Sequence, residues 1–367
     1  MTGLYLHIPF CQKKCFYCSF VVSIGQEHRM DEYLECLSKE ADHYQGRAID
    51  TVYIGGGTPS SLNELQLKML FDMIHRKFLI HKDSEFTIEI NPESIDLSKA
   101  KLLRNLGVNR VSLGVQSLND HILRYLGRNH DNKRALISFD VLRQAGFENI
   151  NVDFMFSFPD QTIEELKEEL VKMTALGSEH LSIYSLTIEE HSRFFAQKLQ
   201  LADNEEQAAQ YLFVVEELAR NHFQQYEVSN FSKNGFGSKH NINYWTGGDY
   251  IGLGIGAHSY LEGKRHWNIS KLADYLRKIE DGESVVENFE ELSNERKMLE
   301  TFLFGLRMNR GVDLKDLFGR FNVSFDRARQ NKLNDFVNEG FLVQEDERLR
   351  ATSKGMVLLD EISAHLI

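Results

Sequence analysis

The stretch INVDFMFSFPDQTIEELKEELVKMTALGSEHLSIYSL, residues 150–186, reads as strand, helix, strand. Its flanks, INVDFMF (150–156) and HLSIYSL (180–186), are β-branched and aromatic runs of strand length. Between them Ile163, Leu166, Leu170 and Met173 form one apolar stripe at helical spacing. Thr162 and Glu165 have the spacing of a capping box, and Gly177 stands where a left-handed residue ends the helix. The unit recurs towards the N-terminus. LYLHI (4–8), TVYIG (51–55), FTIEI (86–90) and RVSLGV (110–115) are further strands. NELQLKMLFDMIHRKF (63–78), LSKAKLLRNLG (97–107) and RALISFDVLRQAG (134–146) are helical, the last two closing on Gly107 and Gly146. Such alternation predicts an α/β fold with a parallel sheet and right-handed crossovers. Six strands suit a partial (β/α)6, TIM-like barrel over residues 1–235 better than a small doubly wound sheet.

Beyond the barrel the pattern changes. EEQAAQYLFVVEELARNHF (205–223) reads as a helix and YEVSNF (226–231) as a single strand. Residues 236–290 read as a glycine-rich connecting segment that includes TGGDYIGLGIGAHSY (246–260). In residues 291–367, NERKMLETFLFGLRM (294–308) and SFDRARQNKLNDFVNEG (324–340) are helical. FLVQEDERLRAT (341–352) is a hairpin, and a helix runs to the end, so a C-terminal helical, winged-helix-like domain is expected.

The four prolines, Pro9, Pro59, Pro92 and Pro159, each fall just past a strand's C-terminal end, where no ladder N–H is needed. In βα barrels those ends carry the active site. On the same rim lies HIPFCQKKCFYCSF (7–20), with Cys11, Cys15 and Cys18 spaced C-x3-C-x2-C. The chain has only 4 cysteines and a net charge of −12. That excludes a disulfide framework, and the acidity leaves no basic face for nucleic acid. No run of about 18 apolar residues and no leader pattern is present, so a cytoplasmic protein with reduced thiols is expected. Three clustered thiols then point to metal. Zinc wants four protein ligands, with Cys36 or His7 as the nearest additions. An iron–sulfur cluster normally takes four thiolates as well, and three leave one iron open to a small molecule.

The rim resembles the radical S-adenosylmethionine (SAM) superfamily. Cys11, Cys15 and Cys18 match its cysteine motif, Tyr17 its aromatic residue before the last cysteine, and GGGTP (55–59) its glycine-rich turn. The resemblance implies a [4Fe-4S] cluster whose open iron chelates SAM and can cleave it to methionine and a 5′-deoxyadenosyl radical. More closely, Y-x-H-I-P-F-C (5–11), EINPE (89–93), SLGVQS (112–117), GRNH (127–130) and NVDFMF (151–156) resemble two related groups. These are the oxygen-independent coproporphyrinogen III oxidases and the HemW-type haem chaperones. By position the resemblance implies Tyr5 against the cluster and Gly56, Gly57 and Thr58 at the methionine end of SAM. It implies Glu89, Gln116, Arg128 and Asp153 around the carboxylate, ribose and adenine.

Two departures separate the groups. The oxidases carry a further cysteine where this chain has Phe20, and a longer arm where only four residues precede Tyr5. HNINYW (240–245) is similar to the H-N-x-x-Y-W motif of the chaperones. It implies His240 as haem ligand, with His258 or His266 as replacements, and Tyr244 and Trp245 stacking on the porphyrin. The partners implied are haem, respiratory haem proteins as acceptors, an iron-storage protein as donor, the membrane surface and a second copy in a homodimer. The alternative, a coproporphyrinogen oxidase, needs clustered cations for four carboxylates, with Arg193, Arg265 and Arg310 as candidates.

Overall fold

The computed structural model describes residues 1–367. Strand β1 (Thr2–Ile8) leads into a short parallel pair, β2 (Phe10–Cys11) with β3 (Ser23–Ile24), which closes the cysteine loop at its base. Strands β4 (Ala48–Gly56), β5 (Leu79–Ile90), β6 (Arg110–Gln116), β7 (Ile150–Phe156) and β8 (His180–Ser185) follow. Helices α1 (Met30–Ala41), α2 (Glu64–Lys77), α3 (Leu97–Asn105), α4 (Asp120–Leu126), α5 (Asn132–Gln144) and α6 (Ile163–Thr174) make the crossovers. The six long strands β1 and β4 to β8 run parallel in that order, the expected partial barrel. The capping box that begins α6 is formed: Glu165 N donates to Thr162 Oγ1 at 3.2 Å, and Thr162 N to Glu165 Oε2 at 2.9 Å.

Alternation along each strand divides the barrel into two environments. On β5, Phe86, Ile88 and Ile90 join the apolar core beneath the helices. Glu85, Thr87 and Glu89 take the other face, and so do Arg110, Ser112, Asn151, Asp153, His180 and Ser182 on the neighbouring strands. The lumen is therefore polar, and it carries side chains that can bind or hold protons.

Both sheet edges differ from expectation. YEVSNF is not one strand. Helices α7 (Arg193–Ala196) and α8 (Asn204–Arg220) lead into β9 (Gln224–Glu227) and β10 (Asn230–Ser232), antiparallel to each other. The turn forms because the buried Glu227 carboxylate accepts from Ser229 N at 3.1 Å and from the Asn230 amide. Residues 236–290 are not a connecting segment either. They carry α9 (Lys239–Trp245), then β11 (Asp249–Leu253) parallel beside β1. Antiparallel β12 (His258–Leu261), β13 (Lys264–Asn268) and β14 (Val286–Glu291) continue the sheet, covered by α10 (Leu272–Glu280). The glycines here serve close backbone approach: a Cβ on Gly252 would lie 2.1 Å from the His258 carbonyl oxygen.

The C-terminal part has its own apolar cluster, including Phe302, Leu306, Leu317, Leu333, Leu349 and Ile362. It comprises α11 (Asn294–Leu306), β15 (Val312–Asp313), α12 (Leu314–Phe321), α13 (Arg327–Asn338) and the hairpin β16 (Leu342–Glu345) with β17 (Arg348–Ala351). The expected final helix is two short ones, α14 (Ser353–Val357) and α15 (Leu359–Ala364), broken at Leu358. No helix is long and apolar enough to cross a membrane.

Candidate functional site

Cys11 ends β2, and Cys15 and Cys18 follow in the loop that β2 and β3 pin. All three line one cavity of about 830 Å³ at the C-terminal ends of the strands. Tyr17, Gly56, Gly57, Thr58, Glu89, Gln116, Arg128 and Asp153 line it with them. Cys11 Sγ lies 3.2 Å from Thr58 Oγ1, and Arg128 Nη1 donates to Cys15 Sγ at 3.6 Å. Burial pushes the Cys11 thiol up to about 11 and raises Cys18 as well. Binding a metal centre would therefore release protons from these thiols.

The glycine turn is required by contact. Gly56 has φ +118°, a conformation that side chains disfavour, and a Cβ there would lie 2.8 Å from the His7 ring. A Cβ on Gly57 would lie 2.7 Å from the Pro9 carbonyl oxygen and 2.9 Å from Cys11 Sγ. The turn thus brings bare backbone against the thiol loop.

Two carboxyls face the cavity. Glu89 accepts from Tyr53 O–H at 2.9 Å and from Gly56 N at 3.1 Å. Burial, and then the negative charge of Asp153, push it up to about 7. Asp153 is raised by burial and held by Asn151 Nδ2 at 2.7 Å and Ser112 Oγ at 3.0 Å. Arg128 donates to Asn91 Oδ1 at 2.9 Å and to the Gly114 carbonyl at 2.8 Å, while its Nε is buried without a partner. Gln116 sits at a register shift between β6 and β7 with φ +69°, a strained conformation for a residue other than glycine. A cation with a spare donor, two carboxyls and an exposed glycine backbone complement an amino acid's charged ends and a ribose. Three thiols on one loop suit a cluster. Cys36 is buried in the core on α1, and His7 bridges Tyr5 and the Val21 carbonyl.

Four of the expected site residues lie elsewhere. Tyr5 does not line the cavity. It sits in the lumen with its hydroxyl 2.9 Å from His7 Nδ1 and its ring stacked on Tyr53. His240, Tyr244 and Trp245 belong to α9, packed where the strands begin. The Glu85 carboxylate accepts from Lys239 N at 2.9 Å and His240 N at 3.0 Å, seating the helix across that end. The His240 ring is 1% exposed and stacks on Tyr53 at 5.2 Å. Its Nδ1 lies 2.8 Å from Thr51 Oγ1 and its Nε2 2.8 Å from Tyr244 O–H. Burial, then the Arg110 charge, lower it to about 3. The expected haem ligand thus has both nitrogens engaged inside the barrel, because the motif's helix is inserted as a floor. His266 Nε2 lies 3.1 Å from Tyr44 O–H, whereas His258 is exposed, stacked on Trp267, and hydrogen-bonded at neither nitrogen.

The candidate arginines do not converge. Arg193 lies over the Phe16 ring, Arg265 pairs with Glu290 and Glu300, and Arg310 lies within the C-terminal domain, between α11 and β15. Sequence reasoning missed Tyr53 and Glu85. Their signal was the alternate polar position in otherwise apolar strands.

The thiol loop and glycine turn on the rim of a parallel βα barrel define a radical SAM-type protein. The family model described as Radical SAM superfamily matches residues 5–172, and that of the HemN C-terminal domain matches 292–358. A protein named Heme chaperone HemW from Bacillus subtilis is 36% identical over 371 residues, covering 99% of this chain and 98% of its own length. Radical S-adenosyl methionine domain-containing protein 1, mitochondrial, from Danio rerio is 31% identical over 380 residues, covering 98% and 86%. The solved structure of coproporphyrinogen III oxidase (HemN) from Escherichia coli has a TM-score of 0.86 at 24% identity, covering 100% of this chain and 89% of that one, a likeness of fold. The chain belongs to the HemW family of radical SAM proteins. Membership implies a [4Fe-4S] cluster and SAM.

Proposed function

We propose that the chain binds haem and hands it to acceptor proteins, holding a [4Fe-4S] cluster on Cys11, Cys15 and Cys18 and SAM in the rim cavity. The observation that carries this reading is the end-to-end similarity to a protein named as a haem chaperone, 98% of whose length is matched. Phe20, 65% exposed in the cysteine loop, and the dispersed arginines support it over the oxidase alternative.

When bound, a cluster with an open iron supplies an electron to SAM. The chain's residues then bind and orient. Arg128 would pair with the SAM carboxylate, Glu89 would receive its amino group, and Gly56 and Gly57 would offer backbone at the methionine end. Asp153 would accept from ribose hydroxyls, and Gln116 would serve the adenine. For haem, His258 offers the free ring nitrogen that His240 lacks. The proposed units are a barrel of residues 1–235, its sheet extension 236–290 and a C-terminal helical, winged-helix-like domain 291–367. The setting is the cytoplasm. Respiratory haem proteins are the proposed acceptors and an iron-storage protein the donor, with membrane-surface contact and a homodimer as further proposals.

The test is an anaerobic haem titration followed by transfer to an apo-acceptor. Saturable binding and transfer are expected from wild type, with an altered haem spectrum in His258→Ala. Turnover of coproporphyrinogen with SAM and a reductant, with no haem transfer, would establish the oxidase instead.

A further inference from the structure

A second cavity, of about 320 Å³, lies between the end of α9 and the C-terminal domain, away from the cysteine loop. Its charge runs against that of the chain. Arg310, Arg320 and Arg348 outnumber Asp313 and Asp316 in its wall, in a molecule of net charge −12. Asp313 is already committed: it caps α12, accepting from Asp316 N at 3.0 Å, and lies 3.6 Å from Arg348. Arg320 donates only to neutral carbonyls, of Thr246 at 3.0 Å and of Gly247. The Arg310 side chain is exposed and enters no ion pair. Asp316 is the one opposing charge left, against two guanidiniums without a carboxylate.

Trp245 lines the cavity and adds apolar area to its wall. The walls are built to stand close: a Cβ on Gly305 would lie 2.4 Å from Val312 Cγ2, and one on Gly311 2.2 Å from the Leu349 carbonyl oxygen.

We propose that this cavity is a carboxylate site and that its ligand is the propionate edge of haem, an inference that rests on the haem reading above. Guanidiniums pair carboxylates with fixed geometry, and haem carries two of them on one edge of an apolar disc.

The test compares haem with its dimethyl ester, in which both propionates are capped, on the full chain without oxygen. Wild type is expected to hold haem about tenfold more tightly than the ester. Arg310→Gln, an exposed change that leaves packing intact, and Arg320→Gln are expected to bring haem affinity down towards that of the ester. Both should leave ester binding and the haem spectrum unchanged. Equal binding of haem and ester by wild type, or Arg310→Gln and Arg320→Gln that both hold haem as wild type does, would overturn the proposal. Failure of wild type to bind either porphyrin would instead remove the haem reading itself.

Discussion

At the scale of single residues the site is held by contacts that leave little room. Gly57 is one: any side chain there meets Cys11 Sγ and the Pro9 carbonyl. Gly57→Ala is expected to fold yet retain little iron after anaerobic reconstitution, while Gly319→Ala, where a Cβ meets nothing within 4 Å, retains it. Iron per chain, measured colorimetrically, checks both. Glu89 makes the second residue-scale prediction. Below its ordinary value of 4.5 the carboxyl is protonated both folded and unfolded. Between 4.5 and about 7 only the unfolded chain ionises it, so its contribution to stability is lost as pH rises through that window. The slope amounts to at most about 3 kcal/mol, and Glu89→Gln should remove it in urea unfolding at the two ends of the window. His240 supplies the third residue-scale prediction. The motif names the residue, but only packing shows that both its nitrogens are taken. His240→Ala is expected to cost about 2–3 kcal/mol, through the cavity and the orphaned Thr51 and Tyr244 hydroxyls, and to leave the haem spectrum unchanged. Thermal unfolding and a haem titration of the same preparation check the two halves.

At the scale of elements, β1 and β4 to β8 and their helices were legible because periods of two and of 3.6 residues are written into the chain. The α6 capping box and its closing glycine were legible for the same local reason. β11 was not. A strand whose glycines let neighbouring backbones approach shows no alternation and reads as a loop, although it extends the sheet beside β1. The Val228–Ser229 turn was hidden likewise, because Glu227, outside any turn signature, holds it. The sequence places HNINYW in a connecting segment, because nothing local announces that Glu85, far off in sequence, binds the first amides of α9. Glu85→Ala is expected to cost about 2 kcal/mol and to speed hydrogen exchange in residues 239–245 before it affects the rest of the barrel. Uniform exchange across the chain would show that the carboxylate does not seat this helix.

At the scale of the whole molecule, the barrel presents chemistry at one end and is floored at the other by α9, on which the C-terminal domain rests. Trp245 packs edge-on against Phe304 of α11 and under Arg307, so the floor and that domain share side chains. The three thiols were readable as a reaction site because their spacing stops short of a complete ligand set. The cavity they share with Glu89 and Arg128 was not, since it is assembled from successive strand ends. The decisive measurement is made on the full chain reconstituted with iron and sulfide in the absence of oxygen. About four irons and four sulfides per chain are expected, with a resonance signal of the reduced centre that shifts when SAM is added. A colourless zinc-loaded chain, or an iron centre that SAM leaves unmoved, would contradict the open iron that this reading places on Cys11, Cys15 and Cys18.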